Sequence, residues 1–298
     1  MLICAAAEYT RRKSMYTLEN EGLSVAILDP IADRERLGSR YCVGGYIYQV
    51  TDHEHGELLT GPQYPAPYPD TFDGQGAPDM FFTPLGAAEA PVGGDVGIIG
   101  VGLVRRTSPI EPFSVRHNPE VSEFLPWTVE ISAATITMHT EQRFHDWAYR
   151  LTRRVTVTGR TIDSVTEISS TGSAVLPVRW FAHPFFPLTP ERAYCRVSLP
   201  VSMPENAGYF INDEGFICQK PEHDWPRGFY QALTYDKPSA GITIIQKHPT
   251  LGEVITSTDF APNFLPVWSN ANTFSFEPYF DTKLNQGESA AWRISYQF

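Results

Sequence analysis

The segment Arg154-Val155-Thr156-Val157-Thr158-Gly159-Arg160-Thr161-Ile162-Asp163-Ser164-Val165-Thr166-Glu167-Ile168 decides the fold class. Apolar and polar residues alternate on both arms, and Gly159-Arg160 interrupts them. A period of two sends successive side chains to opposite faces of a strand, and a glycine at the break lets the chain reverse, so the segment reads as a β-hairpin. The same period recurs at 22–28, 45–51, 128–139, 240–246 and 292–298. Short strands at regular spacing, divided by turn residues, predict an all-β chain, a large antiparallel sandwich or a barrel. Proline (25) and glycine (22) are spread along the 298 residues and leave few places for a long helix.

Two segments break the pattern. Residues 61–95 are rich in Pro, Gly and Asp, with Phe72, Met80, Phe81 and Phe82 interspersed. Long loops inside a domain are uncommon and usually functional or disordered; the aromatics argue for an ordered loop that covers something. Residues 203–228 also read as loop, with a turn at Asp213-Glu214-Gly215 and a polar-aromatic cluster at His223-Asp224-Trp225-Pro226-Arg227. No repeat, low-complexity tract or linker divides the chain, so a single domain over 1–298 is expected.

The formal charge of -11 disfavours nucleic acid and anionic membranes as partners, since both require a basic face. Cys4, Cys42, Cys195 and Cys218 are scattered without a CxxC, and a chain with 42% hydrophobic residues has core enough without cross-links. They read as free thiols of a reducing compartment. The apolar run Leu2–Ala7 precedes Arg11-Arg12-Lys13, the reverse of a signal peptide's order, and no stretch reaches the length of a membrane span. A cytoplasmic location is the expectation.

Chemistry concentrates in two aromatic stretches, Trp180-Phe181-Ala182-His183-Pro184-Phe185-Phe186 and Phe274-Ser275-Phe276-Glu277-Pro278. Each holds one ionisable side chain in an apolar setting, and burying such a group is costly unless something pairs with it. The residue before a proline is pushed to extended geometry, which sets His183 at a strand or strand end. A histidine there serves as a proton donor or equally as a core side chain satisfied by backbone. Apolar flanks raise the pKa of Glu277 and suit it to general-base work, although a solvent-facing strand glutamate fits the same alternation. That alternation puts Phe274 and Phe276 on one face, Ser275 and Glu277 on the other.

The hairpin, then Ser169-Ser170-Thr171-Gly172 and His183-Pro184-Phe185-Phe186, together resemble the central region of the aldose 1-epimerase (mutarotase) family, where an N-T-G-like turn precedes an H-x-[YF]-F motif. Tyr235-Asp236-Lys237-Pro238-Ser239-Ala240-Gly241 resembles that family's D-P-x-S-G turn. Phe274-Ser275-Phe276-Glu277-Pro278 resembles its c-x-E-P strand, and Gln286-Gly287-Glu288 through Trp292–Phe298 its terminal strand. Order and spacing agree over the last half of the chain. The first half fits more loosely, through 18–23 and 44–47. The resemblance implies a galactose mutarotase-like β-sandwich that interconverts the α and β anomers of an aldose without a cofactor or metal. His183 would protonate the ring oxygen and Glu277 would take the proton of the C1 hydroxyl. Asp224, with Asp213 behind it, would hold sugar hydroxyls, and Arg40, beside Tyr41, would be a further binding residue. The partner implied is a small carbohydrate; nothing in the sequence sets an oligomeric state.

The family's first-half histidine has no counterpart in Gly97–Leu103. A carbohydrate-binding protein without catalysis is therefore a second expectation, and another sugar epimerase or lyase a third. Other patterns read blandly. His53 and His55 lack a third metal ligand and sit in a turn; His139, Glu141 and His145 fit a partly exposed strand and loop. Gly100-Val101-Gly102 lacks the third glycine of a dinucleotide loop. Ser169 and Ser170 lack a nucleophile elbow. Arg105-Arg106 reads as a phosphate-binding pair or, more simply, as a solvated one. Trp127, Trp147, Trp180, Trp225 and Trp268 each suit either core packing or stacking on a sugar face.

Overall fold

In the computed structural model, which describes residues 15–64 and 73–298, the hairpin is formed by the strands Trp147–Thr158 and Thr161–Ser170. Thr158 pairs with Thr161, leaving Gly159-Arg160 as the loop. Gly159 has φ +56°, at the position where a type II′ turn calls for glycine. Leu151, Arg153, Val155 and Val157 of the first arm are buried, as are Ile162, Ser164, Thr166 and Ile168 of the second. A buried arginine among these side chains explains the inward-facing polar pair. Its guanidinium donates to Thr166, to Ser164 at 3.1 Å and to the Gly44 carbonyl at 3.3 Å, and it forms an ion pair with Asp79.

The hairpin lies within a ten-stranded antiparallel sheet. Thr128–Ile131 and Thr135–Phe144 extend it on one side; Ser289–Gln297, Gly252–Thr258, Thr243–His248, Ala193–Val197, Ile217–Gln219 and Tyr209–Ile211 follow on the other. Smaller sheets pack against it. One joins Tyr279–Leu284, Leu176–Ala182 and Asp79–Phe81; another joins Phe186–Pro187, Thr273–Phe276, Pro266–Ser269 and Phe229–Ala232. The core fills the space between layers. Trp292 of the large sheet meets Phe280 face to face at 4.4 Å, Trp180 at 5.5 Å and Phe81 at 6.3 Å, while Phe186 reaches Tyr296 and Phe298. The fold is thus an all-β antiparallel sandwich.

Three sequence expectations are revised. The 128–139 run is two strands with a reversal between them, because its apolar residues continue across the turn. The 61–95 stretch contains the strands Asp79–Phe81 and Pro84–Leu85 as well as loop, and Phe72 lies outside the described residues. The 203–228 stretch contains the hairpin Tyr209–Ile211 and Ile217–Gln219, with the expected turn at Asp213-Glu214-Gly215. Strands of three residues are too short to show a period, and their stability comes from burial and pairing to longer neighbours. Cys42, Cys195 and Cys218 are buried free thiols; Cys4 and the 1–14 segment lie outside the described residues. No helix among the described residues is long and apolar enough to cross a membrane.

Candidate active site

The strand Leu176–Ala182 delivers His183 at its end. The histidine N–H donates to the Pro78 carbonyl at 2.9 Å, and the Phe185 N–H donates to Gly76 at 2.8 Å, so the 76–78 backbone holds both sides of Pro184. Gly74 continues that backbone at φ +81°. A Cβ there would come within 2.8 Å of Phe185 and 3.0 Å of Tyr41, so the close approach requires glycine. Glu277 leaves the strand Thr273–Phe276, and its N–H donates to Pro266 at 2.9 Å. The strand alternation turns Phe274 and Phe276 onto Tyr194 and Phe186 in the core. Ser275 and Glu277 face the other way, toward His183.

The two ionisable groups meet. His183 Nε2 is 3.4 Å from Glu277 Oε1, and His183 Nδ1 is 2.7 Å from Ser275 Oγ. Phe185 stacks on the imidazole at 4.5 Å, while Tyr41 and Trp268 present edges to it at 6.2 Å each. A cavity of about 450 Å³ opens over the pair, lined also by Phe82, Phe181, Tyr230, Tyr279, Arg40, Arg116 and Asp73. This volume lies in the range of small-molecule sites, and aromatic walls with few polar groups are their usual lining. Among the described residues, no three His, Cys, Asp or Glu side chains gather as a metal site requires.

Burial governs the charge of the pair. It pushes the Glu277 carboxyl from its ordinary 4.5 up to about 7, against a smaller opposing pull from Arg40 and Arg116. It drives His183 well below its ordinary range, and the same two arginines push in the same direction. Two charged forms in contact are therefore not the resting state. In the neutral range the pair holds one proton between an imidazole and a carboxyl, and its titration belongs to both.

Of the residues expected from sequence, His183, Glu277 and Arg40 line the cavity together. Asp224 is not among its lining residues: it precedes the short 3₁₀ turn Trp225–Arg227, and its exposed carboxylate is 3.5 Å from Arg227. Asp213, in an exposed turn, does not line it either. Among the tryptophans considered, only Trp268 lines it; Trp180 is core. Met80 and Phe82, from the aromatic 61–95 stretch, form part of its wall. Arg116, Asp73, Tyr230 and Tyr279 escaped sequence reasoning, because isolated polar or aromatic residues in loops and short strands carry no local pattern. Arg105 and Arg106 bind protein groups: Asp95 and the Gly93 carbonyl for the first, the Ala87 and Ala90 carbonyls and Glu111 for the second.

No protein-family model matches the chain, and no curated protein matches its sequence. Solved structures match it in fold. A protein of Escherichia coli K12, provisionally assigned as an aldose 1-epimerase, superposes with a TM-score of 0.58 at 16% identity, over 95% of this chain and 98% of that one. A galactose mutarotase related enzyme from Lactobacillus acidophilus gives 0.58 at 11% identity, over 95% and 96%. A galactose mutarotase-like protein from Lactobacillus casei gives 0.55 at 12% identity, over 95% and 99%. The chain therefore has the galactose mutarotase-like fold, with the candidate pair His183 and Glu277 facing a single cavity within it.

Proposed function

We propose that the protein interconverts the α and β anomers of an aldose by acid–base opening of the sugar ring. The observation that carries this reading is the 3.4 Å separation of His183 Nε2 and Glu277 Oε1 in an aromatic cavity. The ring oxygen and the anomeric hydroxyl are bonded to the same carbon, so an acid and a base that serve both must lie side by side. Glycoside hydrolysis sets different distances, with two carboxyls about 5–5.5 Å or 6.5–9.5 Å apart.

The reacting form carries the shared proton on His183 Nε2 and leaves Glu277 as carboxylate. Glu277 removes the C1 hydroxyl proton, and the freed electron pair forms the carbonyl. The C1–O5 bond breaks, and O5 takes the proton from Nε2. The open aldehyde turns about C1–C2; Nε2 then recovers the O5 proton as O5 attacks the other face, and Glu277 returns its proton to O1. The pair ends with the single proton it began with. Ser275 accepts from Nδ1–H while its own hydroxyl points to the Phe276 carbonyl at 3.5 Å, which leaves Nε2 directed at the substrate. Phe82, Tyr230, Trp268 and Tyr279 offer apolar faces to the sugar's C–H surface.

The test is NMR magnetisation exchange between anomers with a panel of aldoses. Wild type is expected to accelerate exchange, and Glu277→Gln to lose about 100-fold or more, the scale of general acid–base catalysis, while still binding the sugar. Near-normal exchange by the variant contradicts the assignment. Saturable binding with no acceleration by wild type would make the protein a carbohydrate-binding module instead.

A further inference from the structure

We propose that Arg40 and Arg116 form an anion subsite in this cavity, and that the aldose it takes carries a phosphate or carboxylate group. The proposal rests on reading the cavity as a sugar site. Arg36, Arg105, Arg106, Arg150, Arg153, Arg154, Arg160, Arg179 and Arg227 each reach a carboxylate, while Arg34, Arg143, Arg192, Arg196 and Arg293 form no ion pair among the described residues and lie away from the cavity wall, so what sets Arg116 apart is its place in that wall. Arg116 lines the cavity and pairs with no carboxylate among the described residues. Arg40 lines the same wall, its guanidinium 4.8 Å from the Tyr41 ring centroid.

The two arginines are carried on segments tied to each other. Arg116 sits in the 3₁₀ turn Val115–His117, which the Ser114 hydroxyl caps by accepting from the Arg116 N–H at 3.3 Å. The buried Asn118 side chain anchors that turn: it donates to the Ser114 carbonyl at 2.8 Å and accepts from the Thr107 and Ser108 N–H groups at 2.8 and 2.9 Å. Ser39, also buried, donates to the Asn118 carbonyl at 3.3 Å and so joins the Arg40 backbone to the Arg116 turn. Ser114 lines the cavity beside them.

The acidic groups on the wall are Asp73, which accepts from Gln63 Nε2 at 2.5 Å, and the Glu277 carboxyl, which burial inclines to its neutral form. Both arginines line the same cavity as His183 and Glu277, so the subsite and the reacting pair share one chamber. Guanidinium forks suit phosphate and carboxylate better than neutral hydroxyls, and charge-assisted hydrogen bonds are the stronger kind.

The experiment is tryptophan fluorescence titration, with Trp268 in the cavity wall as reporter, using glucose, glucose 6-phosphate and glucuronate as probes. Wild type, Arg116→Gln and Arg116→Lys are compared, and anomer exchange is followed in the same samples. Wild type is expected to bind one of the two anionic probes about tenfold or more tightly than glucose; the better of them identifies phosphate or carboxylate. Arg116→Gln is expected to lose most of that preference, and Arg116→Lys to retain more of it than Arg116→Gln. Equal affinity for glucose and both anionic probes, no binding of any probe, or a preference that persists in Arg116→Gln overturns the proposal. Anion-selective binding without accelerated exchange leaves the subsite standing and removes the mutarotase reading, so the two can fail separately.

Discussion

Glu277 makes the sharpest residue-scale prediction because its burial has a sign. Its folded pKa of about 7 lies above its ordinary 4.5, so the folded state holds the proton more tightly than the unfolded chain does. The resulting stability is fully present below pH 4.5 and is lost as pH rises through 7. Glutamine removes that loss, so Glu277→Gln is expected to be more stable than wild type by about 1–3 kcal/mol at pH 8 and nearly equal to it at pH 4.5, by urea unfolding. The opposite shift of His183 is present in both proteins and largely cancels. A variant less stable than wild type at pH 8 would contradict the buried, proton-retaining carboxyl. Ser275 acts through the imidazole. Ser275→Ala is expected to lower kcat about tenfold with little change in KM, and to move the pH profile of kcat, because Nδ1 loses its partner. An unmoved profile would make Ser275 merely structural.

At the scale of elements, the hairpin that decides the fold was legible because two unusual conditions held: long arms and a glycine at the one place that needs it. A Cβ at Gly159 would meet nothing within 4 Å, so only backbone conformation opposes substitution there. Gly159→Ala is expected to cost about 1–2 kcal/mol and leave activity unchanged, measured by thermal unfolding and anomer exchange. The aromatic settings of His183 and Glu277 were legible for a similar reason, since proline and neighbouring strand residues confine each locally. Their contact joins two strands remote in sequence, and the family resemblance strengthened a pairing that two ionisable groups in aromatic strands already suggested. Arg153 was not legible: from sequence it is one more charged residue on a strand, and its inward face is known only once Asp79 arrives from a three-residue strand on the opposing layer. Because Asp79 pairs with Ala182, next to His183, the ion pair also braces the site. Arg153→Met leaves the Asp79 charge buried and alone and is expected to cost about 3–5 kcal/mol; adding Asp79→Asn should recover a substantial part. Equal costs for the single and double variants would show that the pair carries no coupling.

For the whole molecule, the layers bring His183 and Glu277, each almost wholly buried, together beneath one aromatic cavity. Strand periodicity identified the class of fold but not the wall of that cavity, since Arg116, Tyr230 and Tyr279 come from segments whose placement depends on the assembled sandwich. Asp224 shows the converse: its position along the chain suits a binding role, yet the 3₁₀ turn after it leaves it outside the cavity lining. The central claim, that one proton shared by this pair opens a sugar ring, is tested most directly by polarimetry of a freshly dissolved single anomer between pH 6 and 9. The pair must hold one proton to act, and it loses that proton as pH passes the Glu277 value of about 7. The enzyme-dependent rate, after subtraction of the spontaneous one, is therefore expected to fall about tenfold per pH unit above that point and by about 100-fold or more in Glu277→Gln. Equilibration at the spontaneous rate at every pH, or an enhancement that survives the substitution, would contradict the account.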